Sequence, residues 1–159
     1  MNIAVVSDTH AKSWDDMPKL FKNAVTSADA VIHAGDIGSN SFYGELEKHS
    51  NLLYAVLGNN DNLALPRELE FTLEGIPIAL IHGDQAPYSG RESWLLYRFP
   101  DARLIIYGHS HAPFMLETGS QTLINPGSVK RNRTVDYNSF VMMEAQNGSF
   151  GIEFIKIRK

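Results

Sequence analysis

Seven side chains of metal-ligand type close the apolar runs of this sequence: Asp8 and His10, then Asp36, Asn59 and His82, and last His109 and His111. All are hard or borderline oxygen and nitrogen donors, suited to Mn²⁺, Zn²⁺, Fe or Ni²⁺. Cysteine is absent, which removes thiolate metal sites and thiolate catalysis together. Each piece alone is ordinary. Asp8-Thr9-His10 occurs by chance in many chains, an aspartate such as Asp36 after a strand is a common turn residue, and Gly58-Asn59 is a common turn. Their shared placement is the informative part. In α/β sheets the C-terminal ends of strands form one edge, where ligand sites lie. Seven donors are too many for a single four-coordinate ion; if Asp36 bridges, they divide into two sets of four.

The elements that must position these residues read as follows. Asn2 to Ser7, Ala30 to Ala34 and Leu52 to Leu57 are short apolar runs, hence strands. Between them, a helix capped by Asp15 or Asp16 and running to about Ser27 is predicted, with Pro18 in its first turn and Leu20, Phe21, Ala24 and Val25 as its buried stripe. A second helix is predicted from Ser41 to His49, with Glu45 and Lys48 as a surface pair. Strand, helix, strand, helix, strand suggests parallel βαβ units. Glu70 to Glu74 and Ile76 to Ile81 form a predicted hairpin closed by Glu74-Gly75, and Ser89 to Phe99 a third helix. Arg103 to Tyr107 is a further strand. A hairpin over Phe114 to Ile124 turns at Gly119-Ser120, and a last one over Ser139 to Ile157 turns at Asn147-Gly148. Two β-rich layers with helices outside are the natural packing of this order.

Composition narrows the function classes. A chain of 159 residues, 43% apolar and 20% charged, reads as one globular domain over residues 1–159. A net charge of −4 argues against a general nucleic-acid binder. No apolar run approaches the roughly 20 residues that a membrane span needs. Met1-Asn2-Ile3-Ala4-Val5-Val6 lacks a basic leader and reads as a first strand, so a cytoplasmic location is the default expectation. Lys130, Arg131 and Arg133 cluster, either as a solvated face or as an anion site.

The ordered set Asp8-x-His10, Gly35-Asp36, Gly58-Asn59, His82-Gly83 and Gly108-His109-x-His111 resembles the signature of the calcineurin-like metallophosphoesterases. The chain length, the early Asp-x-His and Asn125-Pro126-Gly127-Ser128 resemble the small single-domain prokaryotic phosphodiesterase branch. The resemblance implies an α/β (α+β) fold: a four-layer αββα sandwich of two mixed β-sheets flanked by helices. It also implies a dinuclear centre, with Asp8, His10, Asp36 and His111 on one ion and Asp36, Asn59, His82 and His109 on the other. Mn²⁺ is the foremost candidate, with Ni²⁺, Fe and Zn²⁺ also suited. Two cations roughly 3.5–4 Å apart need a shared anion, and together they generate hydroxide near pH 7 for attack on a phosphodiester. His109 and Asn60 would contact the substrate phosphate. The implied partners are a small phosphodiester and further copies of the chain, as a homodimer or larger homo-oligomer, with no membrane and no nucleic acid indicated. A phosphomonoesterase on the same site, and a protein-binding scaffold such as the retromer subunit of this fold, are the alternatives.

Two positions depart from the family pattern. Asn60 stands where many relatives carry a histidine; its amide donates a hydrogen bond but cannot deliver a proton, which favours diesters with stabilised leaving groups. His82-Gly83-Asp84 replaces a frequent His-Gly-His, with Asp84 expected to cap the third helix or to orient a ligand histidine. His33 reads as a packed or supporting histidine and His49 as solvent-facing. Trp14 is expected at the site mouth or in the core. Trp94, Tyr97 and Phe99 are expected in the core or at a subunit contact.

Overall fold

A computed structural model describes residues 1–159. β1 (Asn2–Val6), β2 (Ala30–His33) and β3 (Leu53–Ala55) are parallel neighbours, joined by α1 (Lys19–Ser27) and α2 (Asn40–His49). The long hairpin of β9 (Tyr137–Gln146) and β10 (Ser149–Arg158) returns antiparallel to β1, giving a sheet ordered β10-β9-β1-β2-β3. The second sheet is ordered β4-β5-β6-β8-β7, from β4 (Glu68–Leu73), β5 (Ile76–Ile81), β6 (Leu104–Ile106), β7 (Phe114–Glu117) and β8 (Thr122–Asn125). The β5, β6 and β8 strands run parallel, with β4 and β7 antiparallel at the edges. α3 (Arg91–Arg98) connects β5 to β6.

Alternation along the strands builds the layers. Ile3 and Val5 face the core between the sheets, against Ile78, Leu80, Leu104 and Ile106. Ala4 and Val6 face outward onto Phe21 and Val25 of α1 and Phe42 and Leu46 of α2. Ala79, Ile81 and Ile105 likewise face Leu95 of α3. The strands β1, β2, β5 and β6 are covered on both faces, which explains why they read as continuous apolar runs. The result is the αββα sandwich of two mixed sheets. No helix is long and apolar enough to cross a membrane.

Several local expectations need correction. The first helix does not begin at Asp15 or Asp16. Those residues form a 3₁₀ turn (Trp14–Asp16), in which Asp16 Oδ2 accepts from the backbone N–H groups of Lys12 and Ser13; Pro18 caps α1 from outside. The shifted start leaves Phe21 and Val25 facing the core and Leu20 47% exposed. His49 does not simply face solvent: it stacks on Trp14 at a ring separation of 4.3 Å, and Trp14 packs against Phe21 and Phe42. Phe99 is core, whereas Tyr97 is 89% exposed. The Glu74-Gly75 and Asn147-Gly148 turns form as read, each with both residues at positive φ, which suits the twist of a two-residue hairpin loop.

Candidate metal centre

The loops leaving the strands are zipped together before any side chain is considered. Beyond β1, Asp8, His10 and Ala11 donate their N–H groups to the carbonyls of Gly35, Asp36 and Ile37 beyond β2. In the other sheet, Gly108 N–H donates to the His82 carbonyl and Arg133 N–H to that of His111. The two halves are then tied across. His109 N–H donates to Asp8 Oδ2 at 3.1 Å and Ser128 Oγ to the Asp8 carbonyl at 2.8 Å, while within the second sheet Asn125 Nδ2 donates to the Gly108 carbonyl at 2.9 Å. The Asn125–Ser128 segment is therefore a buried brace behind the site rather than a plain turn.

All seven sequence-predicted donors meet at this edge. Ligand atoms of Asp8, His10, Asp36 and His111 lie within 4.8 Å of one another. His10 Nε2 is 3.2 Å from His111 Nε2 and 3.5 Å from Asp36 Oδ2. On the other side of Asp36, His82 Nε2 is 3.5 Å from Asp36 Oδ1 and 3.0 Å from Asn59 Oδ1, and His109 Nδ1 is 3.1 Å from Asn59 Oδ1. Asp36 faces both groups, one carboxylate oxygen to each.

The donor set fits a cation. Asp8 Oδ2 is occupied by Ser7 Oγ and the His109 N–H, but Asp8 Oδ1 is buried without a hydrogen-bond partner and points at His111 Nε2, 3.2 Å away. An unpaired buried carboxylate oxygen is costly unless a positive charge completes it. The histidines are also oriented for binding. His82 Nδ1 donates to the Ala34 carbonyl and His111 Nδ1 to the Arg131 carbonyl, both at 2.8 Å, so each ring turns Nε2 inward.

Charge around Asp36 is settled locally. Burial works against its ionisation, but the His82 ring and the two Asn60 donors outweigh it and hold the carboxyl below the usual carboxylate range. Burial works against the charge on His82 too, and Asp36 and Asp8 reverse it, leaving that ring easier to protonate than usual. His109 moves the other way, through burial first and then the charges of His82 and Arg91.

The backbone is strained where the donors sit. Asp8, His10, Asp36, His109 and His111 all have φ between 43° and 67°. Left-handed backbone costs a non-glycine residue roughly 1 kcal/mol or more, and such residues cluster at functional sites. The flanking glycines permit the approach: a Cβ on Gly58 would strike Asp36 N and Oδ1, and one on Gly108 would strike Ser7 Oγ.

Supporting residues complete the edge. His33 is fully buried and neutral. It accepts the Gly35 N–H at Nδ1 and meets Thr9 Oγ1 at 2.9 Å through Nε2, and Thr9 Oγ1 donates on to the Ile37 carbonyl. Asp61 takes the N–H of Gly38 on one oxygen and that of Gly58 on the other, clamping two donor loops. Ser7, Thr9 and Asp61 carry no sequence signal beyond their neighbours, because their roles are long-range hydrogen bonds. Asn60 donates Nδ2 to Asp36 Oδ2 at 2.7 Å and its N–H to Asp36 Oδ1 at 2.9 Å. Asp84 neither caps α3, whose N-cap is Gly90, nor touches a histidine; it pairs with Arg67 at 2.7 Å.

Two cavities open on the donors. One of about 470 Å³ is lined by His10, Asn60, His111, Lys130, Arg131 and Arg133. The other, about 580 Å³, includes His109 and Arg133 in its wall.

Residues 1–148 match the model of the calcineurin-like phosphoesterase superfamily domain. A probable metallophosphoesterase of Methanothermobacter thermautotrophicus is 33% identical over 148 residues, covering 89% of this chain and 85% of that protein. A predicted phosphoesterase from Streptococcus pneumoniae superposes with a TM-score of 0.76 at 26% identity, over 98% of this chain and 88% of that one. Vps29 of Entamoeba histolytica, solved complexed with Zn²⁺, superposes with a TM-score of 0.79 at 24% identity, over 98% and 99% of the two chains; at that identity the likeness is one of fold.

Proposed function

The chain belongs to the calcineurin-like phosphoesterase superfamily, and from that premise we propose that it is a phosphodiesterase built around a dinuclear metal centre. The observation that carries the proposal is Asp36, whose two oxygens face two separate donor groups. Asp8, His10, Asp36 and His111 would hold one divalent ion, and Asp36, Asn59, His82 and His109 the other; Mn²⁺ is the foremost candidate. When bound, two such ions supply hydroxide at neutral pH and offset the charge that grows on phosphoryl oxygens.

The chain's own residues do the rest. Nδ1 bonds to backbone carbonyls hold the Nδ1 protons of His82 and His111 and aim Nε2 of each ring at the donor cluster. His109 turns Nδ1 to Asn59, which leaves Nε2 as its free ring nitrogen, placed to donate to a phosphoryl oxygen. Lys130, Arg131 and Arg133 beside His10 and His111 give the non-reacting oxygens a cationic wall. Asn60 reaches the same cavity with an amide, which orients but does not protonate a leaving oxygen. That absence of a proton donor at Asn60 favours diesters with stabilised leaving groups over monoesters.

The test is hydrolysis of bis-p-nitrophenyl phosphate by chelator-stripped protein, with and without added Mn²⁺. Turnover that returns only with metal is the expected result. No turnover across Mn²⁺, Ni²⁺, Fe²⁺ and Zn²⁺ would sink the diesterase reading and leave a monoesterase or a binding scaffold.

A further inference from the structure

The two cavities open on different members of the donor cluster, His10 and His111 lining one and His109 the other, and they adjoin at Arg133, which is in the wall of both. A phosphodiester has two arms, and a phosphoryl group held between the cavities directs one arm into each. The basic cavity beside His10 suits phosphoryl oxygens. The cavity beside His109 has a different chemistry.

Its wall carries two guanidinium groups, Arg91 and Arg133, against the one carboxylate of Glu92. The arginine ion pairs of this molecule are Arg67–Asp84 and Arg98–Glu68, so neither Arg91 nor Arg133 is neutralised by a protein carboxylate. Arg91 Nε is moreover buried without a hydrogen-bond partner, and a buried donor in that state is costly unless something completes it. Phe114 and Tyr88 add aromatic surface, and Tyr88 is 96% exposed, with its ring unclaimed by any packing. An open tyrosine face stacks a planar ring, and a free guanidinium fork takes a phosphate or carboxylate. A volume of about 580 Å³ is that of a small-molecule site.

The geometry points to this cavity as the subsite for one substrate arm, selective for an arm that is both aromatic and anionic, as in a nucleotide. Its link to a reacting diester rests on the diesterase reading, and its ligand chemistry on Arg91, Arg133 and Tyr88. The substrate class is then a phosphodiester in which one ester arm carries a planar ring together with a second acidic group.

Binding to chelator-stripped protein tests the subsite without catalysis and without metal competing for phosphate. The probes are adenosine 5′-monophosphate, adenosine and ribose 5-phosphate, titrated calorimetrically. The nucleotide is expected to bind at least ten times more tightly than either fragment. Arg91→Gln should bring it to the level of adenosine, and Tyr88→Ala to that of ribose 5-phosphate. In parallel, amide NMR shifts of the wild-type chain should move at Tyr88 to Arg91 and at Phe114, and not at Asn147 to Gly151; this arm stands even if a variant fails to fold. A nucleotide that binds no better than its fragments, binds equally well to Arg91→Gln, or shifts other amides instead would overturn the subsite. Failure of the two readings is separable. Turnover of bis-p-nitrophenyl phosphate without nucleotide binding removes the subsite alone, whereas Arg91-dependent nucleotide binding without turnover supports the subsite and removes the diesterase.

Discussion

Ser128 holds Asp8 from a distance of 120 residues along the chain: its Oγ donates to the Asp8 carbonyl at 2.8 Å and accepts the N–H of Arg131 at 2.9 Å. One buried hydroxyl thus joins a donor loop of the first sheet to the basic loop of the second. Ser128→Ala removes the partner of the buried Asp8 carbonyl and of the N–H groups of Lys130 and Arg131. The expected cost is about 1–3 kcal/mol, read as a lower urea midpoint at unchanged slope.

Asp36 is predicted to govern both metal positions, and His82 only one. Asp36→Asn should remove both bound Mn²⁺ ions in metal analysis after dialysis and lower turnover by about 100-fold or more. His82→Ala should leave one ion in place. Equal stoichiometry in the two variants would refute the sharing of Asp36.

Asn60→His places an acid where only an amide stands. It should raise hydrolysis of glycerol 2-phosphate, an alkyl monoester whose leaving oxygen needs a proton, relative to the bis-p-nitrophenyl diester by about 100-fold, the lower end of general-acid effects. Because Asn60 also donates twice to Asp36, metal affinity is to be measured alongside, and an unchanged monoester-to-diester ratio at full metal loading would count against the role given to this residue.

His33 gives the fold a defined acid weakness. Burial, opposed in part by Asp61 and Asp8, lowers its pKa from 6.5 to about 4. Between these values the unfolded chain binds the proton and the folded chain does not, so stability falls as pH drops through that window. The full contribution is on the order of 3 kcal/mol. Urea midpoints of the stripped wild-type chain should fall steeply between pH 6.5 and 4, and those of His33→Gln should fall less.

Asp84→Asn should alter little. Its partner Arg67 is 47% exposed, and an asparagine amide oxygen still accepts the Arg67 hydrogen bond. Mn²⁺ affinity is expected to match wild type; a loss of more than about 10-fold would restore Asp84 to the outer shell of the site.

The donors were legible in the sequence because each closes an apolar run, and strands covered on both faces write themselves as such runs. The Asn147-Gly148 and Glu74-Gly75 turns were legible because their two-residue loops need positive φ at both positions. What escaped is whatever depends on contacts between distant segments. Spacing alone marks Asp15 and Asp16 as a helix start, but Asp16 is taken up by the N–H groups of Lys12 and Ser13. Nothing in the local sequence pairs Trp14 with His49, sends Ser128 to Asp8, or sets Arg91 beside His109.

The left-handed backbone at Asp8, His10, Asp36, His109 and His111 bears on how such a protein ages in evolution. At these positions glycine and asparagine fit the main chain better than the residues present. Drift that puts glycine or asparagine in place of a donor histidine loses the ligand and relieves the main chain at the same stroke. A lineage released from catalysis can thus shed those histidines at little cost to the sandwich, while a lineage regaining them must accept left-handed backbone each time.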